Sequence, residues 1–158
     1  MEEDEYKSSY DELASIRCVF EKALTSHQAK CTSSTHFCLA DREGYSCADI
    51  PSSAKCREIL ELLRKKSVFA LKLREIASPL PHNMEIRVQL GGLRGLVKLF
   101  DEKMLRESSL AHPGQERVDD IQAVIKRAVE KYGSLHSLPY SQIIQSVVSF
   151  QGRQKRQH

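Results

Sequence analysis

The sequence predicts an all-α domain: an irregular bundle of five main helices plus one short helix in a cysteine-bearing loop. Three observations lead there. Apolar residues recur at three- and four-residue steps in most of the chain. No stretch keeps the strict apolar–polar alternation of a half-buried strand. The periodic stretches are separated by clusters of Ser, Pro, Gly and Asn, which punctuate helices. With 158 residues, 41% hydrophobic and 28% charged, the composition is that of one globular domain with its own core. We assign residues 11–151 to that domain, preceded by a flexible acidic lead-in (1–10) and followed by a basic tail (152–158).

The first helix is expected from Asp11 to about Ala29, on the spacing of Leu13, Ile16, Phe20, Leu24 and His27. Asp11 and Glu12 suit its N-terminal dipole. Cys18 lies roughly opposite the apolar stripe, and His27 lies on it as a core or helix-end residue. Residues 30–51 are polar and turn-rich, with a short helix expected from Ser33 or Ser34 to Glu43 and Gly44 as its stop. A second main helix runs from about Ser53 to Leu73 and places Cys56 in its first turn. After the Ser78-Pro79-Leu80-Pro81 break, Asn83 can cap a third helix carrying Ile86, Leu90, Leu93, Val97, Phe100 and Met104. This is the clearest helix and is expected at the centre. Gly91 and Gly95 lie on one of its faces, where a neighbouring helix or a cofactor could approach the backbone closely, since a mid-helix glycine otherwise costs about 1 kcal/mol against alanine. A loop over 108–115 follows. Val118, Ile121, Ile125, Ala128 and Tyr132 then mark a fourth helix stopped at Gly133, and Ile143, Ile144, Val147 and Val148 a fifth.

The start of the chain is acidic and lacks the apolar core of a signal peptide, and no apolar run approaches the roughly 20 residues of a membrane span. The expectation is a cytoplasmic protein with no membrane partner. Thiols stay reduced in that compartment, so clustered cysteines read as ligands or redox groups rather than disulfides. All five cysteines fall in one third of the chain, at positions 18, 31, 38, 47 and 56.

Four thiolates complete a structural zinc site or carry an iron–sulfur cluster. Zinc sites usually contain one pair of cysteines two to four residues apart, which is missing here, so the sequence favours an iron–sulfur cluster over zinc. The ligand set is Cys18, Cys31, Cys47 and Cys56. Cys38, flanked by Phe37 and Leu39, is left as a small core hydrophobe, and Cys38 and His36 are the reserve ligands. The function this implies is metal binding in electron transfer, redox sensing or support of a redox enzyme. The alternative is a cofactor-free helical adaptor that holds a protein partner.

Nucleic-acid binding ranks third. Residues 55–98 hold ten bases against four acids, and Arg64, Lys65, Lys66, Lys72, Arg87, Arg94 and Lys98 would have to form one face. Aromatic residues do not interleave with those cations, so a stacking platform is unsupported. No nucleophile elbow, metalloprotease motif or other catalytic constellation is present, which makes an enzyme the less favoured class and leaves no catalytic residue to name.

Overall fold

The computed structural model describes residues 3–5, 16–71, 81–100 and 117–150. The chain is mainly helical but not all-α: an antiparallel hairpin replaces the expected short helix. In chain order the elements are α1 (Glu21–Thr25), β1 (Ser34–Leu39), β2 (Arg42–Cys47), α2 (Ile50–Ala70), α3 (His82–Val97), α4 (Ile121–Tyr132), a 3-10 turn (Leu135–Ser137) and α5 (Tyr140–Val148). The acidic lead-in is described only over 3–5, where Glu3 lies 3.9 Å from Arg42. The expected break at 78–80, the loop 108–115, the end of the third helix at Met104 and the basic tail lie outside the described residues.

The first five residues of the expected first helix, 11–15, lie outside the described residues; within 16–29 only Glu21–Thr25 is α-helical, because the backbone before it is used elsewhere. Arg17 bridges Ser46, the Cys18 amide donates to the Tyr45 carbonyl at 3.0 Å, and the Cys47 amide donates to Ile16 at 2.8 Å. A helix over 16–18 would forfeit these bonds and leave that side of β2 unpaired. Glu21 adds to the same junction, accepting the Tyr45 amide at 3.1 Å and pairing with Arg17 at 2.8 Å.

The hairpin pairs Ser34 with Cys47 through Leu39 with Arg42, leaving Ala40 and Asp41 as a two-residue turn. Both turn residues have positive φ, 50° and 65°, as a type I′ turn requires. Gly44, expected as a helix stop, instead lies buried in mid-strand opposite Phe37.

α2 begins at Ile50, earlier than expected. Asp49 caps it by accepting the Ser52 amide at 3.0 Å, and a proline sits in the first turn, where its missing N–H costs nothing. Cys56 is therefore past the first turn. Ser53, Cys56, Ile59, Leu60, Leu63 and Ser67 form the buried face, at three- and four-residue steps.

α3 is central, as expected, and contacts α1, α2, α4 and α5. It starts at His82 after Pro81, so Asn83 is inside the helix and no side chain caps it. Leu90, Leu93 and Leu96 are fully buried, each worth about 1.5–3 kcal/mol. The glycine face meets α5: a Cβ on Gly91 would lie 2.7 Å from Val147 Cα, and one on Gly95 would lie 2.6 Å from the Ile143 carbonyl oxygen. These are backbone atoms, so the close approach of two helices accounts for both glycines. Arg87 fastens the same pair by donating to the carbonyls of Val147, at 2.8 Å, and Val148.

One buried polar network crosses this core. Glu85 accepts from Arg64 of α2 (Nε, 3.1 Å) and from Gln89 Nε2 (3.0 Å), and Gln89 Oε1 accepts the Ala23 amide at 3.1 Å. It sets the relative positions of α1, α2 and α3. α4 and α5 follow the expected pattern. Gly133 ends α4 at φ 94°, and its amide donates to Val129 at 2.7 Å.

Candidate metal centre

Four elements of the chain deliver cysteines to one place. Cys18 lies just before α1, at the backbone crossing with β2. Cys31 lies in the segment leading into β1, which is anchored to α4: the Lys30 amide donates to Val118 at 2.9 Å, the Ile121 amide donates to Lys30 at 2.9 Å, and the Thr32 amide reaches Asp120 at 3.1 Å. Cys47 ends β2. Cys56 projects from the buried face of α2. All four line a single cavity of about 10 Å³, close to the space of one water molecule. Ser53 and Gln122 border it too.

Cys38 is not among them, and the expectation that it packs in the core is wrong. On β1 it is exposed, because strand geometry turns it outward where a helix would have turned it in. His36, the other reserve ligand, is also exposed. Its ring lies 5.0 Å from that of Tyr45 and its Nε2 lies 3.7 Å from Glu43. His27, expected on the core stripe, is an exposed residue at φ 61°.

Burial dominates the electrostatics of the cavity. It pushes the thiols of Cys18 and Cys56 up to about 12 and raises that of Cys31. Negative charge on neighbouring cysteines adds to this: Cys31, Cys47 and Cys56 each act on Cys18, and Cys31 and Cys47 act on Cys56. Burial thus favours the protonated form of Cys18, Cys31 and Cys56. As thiolates they would repel one another unless a cation lay between them.

Opposing these effects are N–H groups near the sulfurs. The backbone amides of Phe20, beside Cys18, and of Ser33 and Gln122, beside Cys31, act to lower those thiols. The Gln122 side-chain amide donates to Cys56 Sγ at 3.2 Å. Cys47 differs: its S–H donates to the Asp49 carbonyl at 3.3 Å. Among the described residues, no three His, Cys, Asp or Glu side chains form a group already able to hold a metal ion.

Sequence reasoning missed Gln122 and Ser53. Neither carries a spacing signal, since both reach the cavity only through tertiary packing.

The basic segment 55–98 does not present its arginines as one face. Arg64 is spent on Glu85, Arg87 on the end of α5, and Arg94 donates to Gln28 with its guanidinium 5.0 Å from the Phe150 ring centre. Lys65, Lys66 and Lys98 are exposed, and Lys72 lies outside the described residues. Among the described residues, no helix is long and apolar enough to cross a membrane. No family model, curated protein or solved structure matches this chain.

Proposed function

We propose that this chain is a metal-binding domain in which Cys18, Cys31, Cys47 and Cys56 hold one ion that pins the hairpin to the helices. The observation that carries this reading is the shared cavity: four thiols separated in sequence line it, and the fifth does not. Backbone amides that act to lower two of the thiols add support, because N–H···S bonds stabilise the thiolate form that a metal needs. The ion is zinc rather than the iron–sulfur cluster expected from the spacing. A single tetrahedral ion, with sulfur at about 2.3 Å, is the smaller of the two centres that four thiolates can hold and so asks the smaller rearrangement of this cavity. Completing the set requires Cys47 to turn from the Asp49 carbonyl and the four sulfurs to draw inward. The role is structural and non-catalytic, in a reducing compartment such as the cytoplasm.

Zinc, iron and acid-labile sulfide analysis of protein purified without oxygen tests this. One zinc per chain is the expected result. Iron with matching sulfide would replace zinc by a cluster and restore electron transfer. Metal-free protein whose fold is unchanged when all four cysteines become serine would end the reading.

The adaptor reading has one observation of its own. An open cavity of about 670 Å³ between α2 and α5 has Leu62 and Ile144 among its apolar residues and Lys65 and Lys66 among its basic ones. That chemistry suits an acidic, partly apolar partner segment. Reversing both lysines to glutamate should abolish capture of such a partner without altering metal content.

A further inference from the structure

Gln122 meets two of the four candidate ligands, and any role it has there rests on the metal-binding function proposed for the cavity. It lies in the first turn of α4, where Asp120 caps the helix by accepting the Gln122 amide at 3.2 Å. Asp120 also holds Thr32, through its amide at 3.1 Å, so the Cys31 segment and the start of α4 are locked together. In that position Gln122 also lines the cavity beside Cys31.

We propose that Gln122 is the positioning residue of this metal site, donating through its side-chain amide to Cys56 Sγ at 3.2 Å while its backbone stands against Cys31, so that one residue orients two ligands from two different elements. A second, independent feature indicates that the cavity is built around something more than thiols. Ser53 is 5% exposed and borders the cavity, and its hydroxyl has no hydrogen-bond partner. A buried hydroxyl without a partner is costly, and a metal-bound thiolate beside it would accept its proton in a hydrogen bond.

The chemistry is outer-sphere. Four thiolates around a divalent ion leave a net negative charge in a buried space, and N–H donors spread that charge and fix each sulfur lone pair toward the metal. Loss of such a donor typically lowers metal affinity 10–100-fold. Carboxamide N–H groups also withdraw electron density from sulfur, so their removal should change the sulfur-to-metal charge-transfer energy. A residue with a merely structural role would leave that energy where it is.

The test loads wild-type protein, Gln122→Ala and Gln122→Glu with cobalt(II) under anaerobic conditions. Affinity is read by competition with a chromophoric chelator and the sulfur environment by the near-ultraviolet charge-transfer band. Gln122→Glu keeps the size and shape of the side chain but removes its donor, so it guards against a packing effect of the alanine. Both variants should bind cobalt on the order of 10-fold or more weakly and shift the band, with circular dichroism of the helices unchanged. Wild-type affinity and an unshifted band in both variants would overturn the assignment of Gln122 while leaving the metal site standing. Failure of the wild-type protein to bind cobalt would remove the site and this inference with it.

Discussion

Leu93 of α3 is completely buried among helices, whereas in the hairpin only Gly44 is buried, and it has no side chain to contribute. The helical region, α2 to α5, is joined by interlocking apolar side chains and by backbone contact across glycines. The cysteine region, 16–48, adds Phe20, Ala23, Leu24 and Ala29 to that core, but its hairpin is joined by backbone hydrogen bonds and Glu21, with three thiols meeting Cys56 of α2 at one cavity. An isolated two-stranded hairpin is marginally stable at best. The proposed metal site would supply a fastening to the hairpin, the part of the described chain that buries least.

The largest expected effect separates the two regions directly. Zinc chelation should abolish hydrogen-exchange protection of the β1 and β2 amides while the α3 amides stay protected, since structural zinc contributes on the order of 10 kcal/mol in small zinc folds. Simultaneous loss in both regions would show that they form one cooperative unit. Next comes Glu85→Ala, which strands the partly buried Arg64 guanidinium and Gln89. A loss of about 3 kcal/mol in denaturant-induced unfolding is expected, with zinc content unchanged. Gly95→Leu should cost about 1–3 kcal/mol or more by forcing α5 off α3; unchanged stability there would mean the helices are not in backbone contact. The smallest effect belongs to Cys38→Ser, expected within about 0.5 kcal/mol of wild type and with full zinc occupancy. Loss of zinc in this variant would move the site away from the cavity.

The helical region was largely legible because burial writes itself into spacing. Ile121, Val124, Ile125 and Ala128 face the core at the steps their sequence displays. The hairpin was not legible. Ser34–Leu39 and Arg42–Cys47 face no continuous core, so no alternation was imposed on them, and Thr35 is their one β-branched residue. The turn hid its signal as well: Ala40 and Asp41 adopt left-handed φ where Asn-Gly would have announced a type I′ turn. Ala, Leu, Asp, Arg and Glu in a row instead read as helix. Confinement to one segment agrees with the meeting of Cys18, Cys31, Cys47 and Cys56 at one cavity, while Cys38 stays apart through strand geometry rather than core packing. Nothing local pointed to Gln122, because the contact that involves it spans 66 residues.

That long span has a consequence for how the protein is made. Domains assemble from the N-terminus during synthesis, at about 5–20 residues per second. Cys56 therefore leaves the ribosome several seconds before Gln122, and all four thiols are available to capture an ion while α4 is still untranslated. The nascent site would be a loosely held, exchangeable one. It would become a retentive site only when the Asp120–Gln122 corner arrived to close over it, so the proposed site implies that metal loading and metal locking are separate events in the life of the chain.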